Sequence, residues 1–500
     1  MSRSRAWPPI ARVLAAAVLS LALSASAARA TEAAPNPWRQ MLTQDLAFAH
    51  QTIVERYIYA RTPGGPAFDR LLAEADRAAA ADAEKVHDLE GYQAVMARYV
   101  GGFADAHLRA RLNLEPARVA WPRFLVRYRS GQYVVVESAT PAVRAGAVIS
   151  ACDGKPIAEV VSDVAPELGR GAGAERGLET TRDAIAHVLF VDARNPLYRR
   201  PATCRIEGKE VALNWTPIGA DQLAVRNAPH DLMRDPVTAV SSFGRNGARV
   251  RMATFGPGTL EEAQQFHAII DAAPSLRDKD IVVLDVRGNP GGSYNWFTGF
   301  LEAFYGPAYA DHYATARLKI RPVFVDPPGG SLAGRPGAAA PARRERADPF
   351  NTPPDRAMDG LLLGFEARPA AHGTTVYAAK MGSLPPAALA PEPPSPVKAR
   401  VYVLTDYACA SACIAFVDEM KRFPGVLQVG RETAVDSLTG TPINYALPSG
   451  NGELTVPSLV RENRERGDNV PQRPDIAYDG DIADTAAVLA WIQTLPARAK

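Results

Sequence analysis

A chain of 500 residues with 56 Lys and Arg against 54 Asp and Glu is nearly neutral, and 47% of its residues are apolar. That balance excludes a disordered or fibrous chain, allows roughly two to four domains with a sizeable core, and offers no Lys/Arg stripe with which a dedicated nucleic-acid binder would track phosphates.

Residues 1–30 read as a targeting segment. Arg3, Arg5 and Arg12 precede an apolar run at 14–23 that is too short to span a bilayer, and Ala28-Arg29-Ala30 fits the small-x-small rule for cleavage after Ala30. The expectation is a periplasmic or secreted protein with no membrane span after cleavage; an uncleaved anchor is the alternative. Residues 31–118 are expected to be a helical region. Leu42, Leu46, Ala49, Ile53 and Tyr57 fall on one helix face, and further helices are expected over 71–81 and 89–99, the last stopped by Gly101-Gly102.

Residues 119–218 read as a β-rich module: strands at 124–128 and 133–137, a Pro-Ala-x-x-Ala-Gly turn ending at Gly146, an apolar strand, an Asp153-Gly154 turn, then a helix and closing strands. This order resembles a PDZ module, which would bind an extended peptide end at a sheet edge; a small β-domain without that role is the other reading. Residues 219–500 alternate strands (249–254, 281–286, 401–405, 426–429) with helices, the mark of an α/β core. Residues 322–398, rich in Pro, Gly, Ala and Arg, read as an insertion between core elements, a lid or a partly mobile flap.

An exported chain permits disulfides. Cys152 and Cys204 share the β-rich module and are expected to pair, while Cys409 and Cys413 are expected to stay free thiols. No Cys or His spacing suits a zinc site, and no metal or organic cofactor is expected.

Two segments carry chemistry. Asp285-Val286-Arg287-Gly288-Asn289-Pro290-Gly291-Gly292 follows a buried strand and precedes a helix. Its glycines let the chain turn sharply and aim N–H groups outward, which suits an oxyanion hole; an ordinary Gly-rich turn is the alternative, and a P-loop is excluded by the missing Gly-Lys-Ser/Thr. Ala408-Cys409-Ala410-Ser411-Ala412-Cys413 crowds small residues into a strand-to-helix turn, where Ser411 could be a presented nucleophile or a helix N-cap.

Together these segments resemble the tail-specific, or C-terminal processing, proteases and the tricorn core. That family carries Asp-Leu-Arg-x-Asn-Pro-Gly-Gly and then an Ala-Ser-Ala turn, matched here at 285–292 and 410–412. Val429-Gly430-Arg431-Glu432-Thr433 and Pro474-Asp475-Ile476 match later elements. The resemblance implies an α/β fold with a Clp-protease/crotonase-like core, preceded by the helical region and PDZ-like module. It implies Ser411 as nucleophile, the N–H groups of Gly292 and Ala412 as oxyanion hole, and a protein or peptide substrate. The Lys used as base by the bacterial branch is replaced by Asp436, and an ordinary aspartate, with a pKa of about 4, is too acidic for that task. The tricorn-like branch places its base in an Asp-x-His element, matched by Asp105-Ala106-His107, so His107 is the expected base. The Ser that precedes the His in that branch is Ala106 here. For a third, orienting acid the candidates are Glu462, Glu465 and Asp468. A non-catalytic ligand- or peptide-binding protein on the same scaffold, and an esterase or amidase, are the competing readings.

Overall fold

The apolar run at 281–285 becomes the strand Ile281–Asp285, buried at every residue near the middle of a six-stranded sheet. The order across this sheet is Ala239–Phe243, Gly247–Arg251, Ile281–Asp285, Arg400–Thr405, Leu427–Gly430 and Ile476–Ala477, parallel throughout except for the first pair. Both faces are covered, which is why the central strands read as continuous apolar runs. On one face Val250, Val282, Leu284 and Val403 pack with Phe255, Phe266, Phe297 and Phe416; on the other, Ile281, Val283, Leu404 and Val429 meet Ile482, Val488 and Ile492. The helix Leu260–Ala272 is started by a capping box: Thr259 accepts from the Glu262 N–H, and the Glu262 carboxylate accepts from the Thr259 N–H.

In this computed structural model residues 36–62, 65–113, 119–129, 131–171, 178–192, 194–218, 235–326 and 348–495 are described. The expected targeting segment at 1–30 lies outside them, and one compact unit spans Trp38–Lys500. No described helix is long and apolar enough to cross a membrane.

The N-terminal helices are Pro37–Arg56, Ile58–Arg61, Gly65–Ala83 and Leu89–Gly101. Asp88 caps the last by accepting from the Gly91 N–H at 3.0 Å, and Gly102 takes its C-cap position. Leu42, Ala49 and Ile53 are buried along one face, as their spacing predicts.

The β-rich module follows the expected order. Phe124–Arg129, Gln132–Ser138, Val148–Cys152, Thr203–Ile206 and Lys209–Ala212 form an antiparallel sheet, over which the helices Ile157–Val164 and Glu179–Phe190 pack. Asp153 and Gly154 both have positive φ, as the two-residue hairpin between Val148–Cys152 and Lys155–Pro156 requires. Cys152 and Cys204 sit directly opposite across the ladder and are disulfide-bonded, with Cα atoms 4.0 Å apart. That is shorter than the usual 4.4–6.8 Å span, as close cross-strand pairing brings about.

The expected insertion is different in kind. Arg321–Phe324, Leu362–Pro369 and Thr375–Met381 are strands of a second, antiparallel sheet, ordered Arg109–Leu112, Gly452–Glu462, Arg321–Phe324, Thr375–Met381, Leu362–Pro369, with Thr439–Ala446 also paired to Gly452–Glu462. Val323, Val376, Ala378, Leu454 and Val456 share a core with Leu42, Ile53, Tyr92 and Met96 of the helical region. The described part of 322–398 is thus largely a structural layer, and this layer brings the segment after the N-terminal helices beside the C-terminal half of the chain.

Candidate active site

Two loops leave the parallel sheet side by side. The first follows Ile281–Asp285 and is anchored underneath by a buried clamp. Asp285 accepts from Arg287 Nε (2.9 Å) and Nη2 (2.6 Å) and from Arg249 Nε (2.7 Å). Burial alone would raise the Asp285 carboxyl, but the hydrogen bonds and charge of Arg287, with Arg251 and Arg249, outweigh it and hold the group at about 2. Arg287, itself fully buried, donates onward to the Ile482 carbonyl and to Thr485 Oγ1. The two charged residues of the motif therefore shape the loop and do not face the site.

The second loop follows Arg400–Thr405. Asp406 accepts from the Gly288 N–H (2.8 Å) and the Ala408 N–H (3.0 Å), and the Ala410 N–H donates to the Asn289 carbonyl (3.1 Å), so the two loops are laced together. Gly291, at φ +97°, is the contact point. A Cβ there would lie 2.5 Å from the Ala410 oxygen and 2.8 Å from the Ala412 nitrogen. Gly292, at φ +138°, faces the backbone of Phe255, only 2.1 Å from where a Cβ would stand. The Ser293 N–H donates to the Phe255 carbonyl and the Phe255 N–H to the Gly291 carbonyl. Among the described residues neither the Gly292 N–H nor the Ala412 N–H has a hydrogen-bond acceptor.

Ser411 stands where that lacing converges, immediately before the helix Ala412–Met420. Its backbone is at φ 53°, ψ −119°, a conformation L-residues rarely hold, and its side chain makes no capping hydrogen bond. Position alone would make it an N-cap, yet the capping bond is not made. Cys409 and Cys413 on either side are disulfide-bonded, which corrects the expectation of free thiols. Cys409 lies in the turn and not in the helix, so the Cα atoms are 5.3 Å apart, inside bridging range.

His107 follows the last N-terminal helix and precedes Arg109–Leu112. Its Nδ1 lies 3.1 Å from Ser437 Oγ and 3.3 Å from Thr439 Oγ1. Both hydroxyls donate to Asp105, Ser437 to Oδ1 at 2.7 Å and Thr439 to Oδ2 at 2.8 Å, and Asp105 also accepts from the Tyr57 hydroxyl and from the His107 N–H. His107 Nε2 is 3.8 Å from Asp436 Oδ1. Asp436 in turn pairs with Arg464 at 2.8 Å. Burial pulls the imidazole pKa below its usual value, with Arg461 and Arg109 acting the same way; the charges of Asp436 and Asp105 oppose but do not cancel it.

No hydrogen bond joins His107 to Ser411. The strand exit that flanks His107 is nonetheless tied to the serine turn: the Ala434 N–H donates to the Cys409 carbonyl at 3.0 Å, two residues from Asp436 on one side and two from Ser411 on the other. Of the three acids considered for orientation, Glu462 pairs with Arg368 at 3.6 Å and Glu465 with Arg422 at 2.8 Å. Asp468 accepts from the N–H of Leu438, between Ser437 and Thr439. The Nδ1 contacts of His107 go instead to Ser437 and Thr439, which no sequence signal marked.

The β-rich module touches this region too. The Tyr407 hydroxyl donates to Glu179, whose N–H donates to Glu432 Oε1 at 3.1 Å. Among the described residues no group of His, Cys, Asp and Glu could hold a metal ion.

Residues 246–477 match the sequence profile of Peptidase family S41. No curated protein matches the chain. Among solved structures, mature CPAF aligns over 92% of this chain and 97% of its own at 16% identity, with a TM-score of 0.53. Mature CPAF complexed with lactacystin aligns over 91% and 98% at 17% identity, with a TM-score of 0.54. At those identities the likeness is one of fold. Both motifs fall inside the matched residues, so 246–477 are similar to the core of Peptidase family S41, a family of serine-type peptidases.

Proposed function

We propose that this protein is an exported serine peptidase in which Ser411 is the nucleophile, His107 the general base and the N–H groups of Gly292 and Ala412 the oxyanion hole. The observation that carries this reading is the backbone of Ser411, held at positive φ at a helix N-terminus beside two N–H groups that have no acceptor. Ser411 Oγ attacks a peptide carbonyl as His107 Nε2 takes the hydroxyl proton, and the two N–H groups hold the negative oxygen of the tetrahedral adduct. The proton then goes to the leaving amine, and water, deprotonated by the same imidazole, releases the acyl group from Ser411.

The targeting pattern at 1–30 and the two disulfides support a periplasmic or secreted location. The strand order of the β-rich module supports a PDZ-like role in presenting an extended peptide to the cleft. Turnover of a dye-labelled unfolded protein, set against a panel of small esters and amides, tests the substrate class. Cleavage of the protein substrate that is lost in Ser411→Ala supports a peptidase. Ester hydrolysis alone assigns an esterase, and no turnover of either assigns a binding protein on this scaffold.

A further inference from the structure

The acid that orients the base is missing from the places where the sequence offers one, and Ala106 stands where a hydroxyl would precede the histidine. The structure supplies a substitute. We propose that Asp105, acting through the hydroxyls of Ser437 and Thr439, is the positioning group of His107 and fixes its neutral ring as the Nδ1–H tautomer. This inference rests on His107 being the base.

The case is one of proton counting. A carboxylate only accepts, and each hydroxyl has one proton to give. Ser437 Oγ lies 2.7 Å from Asp105 Oδ1, and Thr439 Oγ1 lies 2.8 Å from Oδ2 and 2.9 Å from Oδ1. Hydrogen bonds to a charged acceptor are the stronger ones, so both hydroxyl protons point at Asp105. The two hydroxyl oxygens are also 2.8 Å from each other, and a proton placed between them would be spent as well. With the second hydroxyl proton then on Asp105, neither arrangement leaves one for the imidazole. Nδ1, at 3.1 Å and 3.3 Å from these oxygens, must therefore be the donor. The ring's single N–H is then on Nδ1 and the lone pair is on Nε2, the atom that must take a proton from a nucleophile.

Asp105 is itself over-determined: it is buried and also accepts from the Tyr57 hydroxyl at 2.9 Å and from the His107 N–H at 2.8 Å. Its carboxylate is 3.8 Å from Nδ1, too far for a direct bond but close enough to favour an imidazolium formed during reaction. Asp436 faces the other nitrogen and is engaged by Arg464, so it adds charge without competing for the ring N–H. Two of the residues in this relay, Ser437 and Thr439, lie over 300 positions from His107, and the second sheet is what carries Thr439 to it.

The test is long-range proton–nitrogen NMR of the full mature protein labelled with ¹⁵N-histidine, at a pH where His107 is neutral. The His107 signals among the eight histidines are assigned by their loss in His107→Gln. The expected result is a protonated Nδ1 and a bare Nε2 in the unmodified protein. Ser437→Ala combined with Thr439→Val should release the ring to a tautomer mixture and lower kcat/KM on the order of 100-fold, whereas Thr439→Ser, which keeps the hydroxyl, should preserve the tautomer. An Nε2–H tautomer in the unmodified protein, or an unchanged tautomer in the double variant, overturns the relay. The first of these readouts needs only the assignment variant His107→Gln to fold. An intact Nδ1–H tautomer in a protein with no turnover at all would leave the relay standing and refute the peptidase reading instead.

Discussion

The Cα of Gly291 lies against Ser411: a methyl group at position 291 would stand 2.9 Å from the Ser411 Cβ. The two motifs, about 120 residues apart in the chain, are thus a single packed object, and Gly291 and Gly292 are each required by a close approach of backbone to backbone.

Gly291→Ala should therefore damage the site more than the fold. The new methyl meets the Ala410 oxygen and the Ala412 nitrogen, and φ of +97° disfavours any side chain. A stability loss of about 1–3 kcal/mol is expected by chemical denaturation. The loss in kcat/KM should be on the order of 100-fold, as when an oxyanion donor is misplaced. Unchanged activity would mean that the two loops do not act as one.

Activity should persist below the ordinary imidazole range. Burial lowers the His107 pKa, so the neutral, base-competent ring survives to more acidic pH than a free histidine with a value near 6.5. Stability follows the same sign. The folded-state pKa is below the unfolded one, so the unfolded chain binds the extra proton first. The His107 contribution is complete above about 6.5 and is lost as pH falls through the folded value. A kcat/KM profile whose acidic limb falls above pH 6.5 would contradict this.

Breaking the clamp under the first loop should be costly. Arg287→Ala leaves Asp285 buried without its main partner, and a loss of about 3–5 kcal/mol is expected. Urea unfolding of the variant measures it. A loss below about 1 kcal/mol would show that Arg249 and Arg251 suffice to hold the carboxylate.

The two disulfides should respond differently to removal. Cys152–Cys204 closes a long loop across the β-rich module, and its loss should cost about 4 kcal/mol on the chain-entropy account. Cys409–Cys413 closes a short loop around Ser411, so replacing both by Ala should lower turnover while leaving far-UV circular dichroism unchanged. Non-reduced peptide mass spectrometry should find both pairs linked in protein recovered from an oxidising compartment.

The parallel core was legible in the sequence because its strands are buried on both faces and read as short apolar runs; the edges drift by a residue or two, as where Gly247–Arg251 begins before the expected 249. The second sheet was not. Thr375–Met381 buries Val376, Ala378 and Ala379 amid polar and small residues, and its sheet also takes in Arg109–Leu112 and Gly452–Glu462 from far along the chain, so nothing local announces it. At the site, the turns that carry Ser411 and His107 could be singled out by their motifs. Ser437 and Thr439 were not, because a hydroxyl becomes a relay only when folding sets it between a carboxylate and a ring nitrogen. The bridge between Cys409 and Cys413 turned on where the helix begins, a boundary that spacing alone does not give.

The central claim is that Ser411 is a nucleophile activated by His107, and covalent labelling by a fluorophosphonate tests it most directly. The protein should react with one equivalent, tryptic mass spectrometry should place the adduct on the peptide that contains Ser411, and labelling should vanish in Ser411→Ala and slow sharply in His107→Ala. A properly folded protein that resists the reagent, or one that carries the adduct on another residue, would contradict the account.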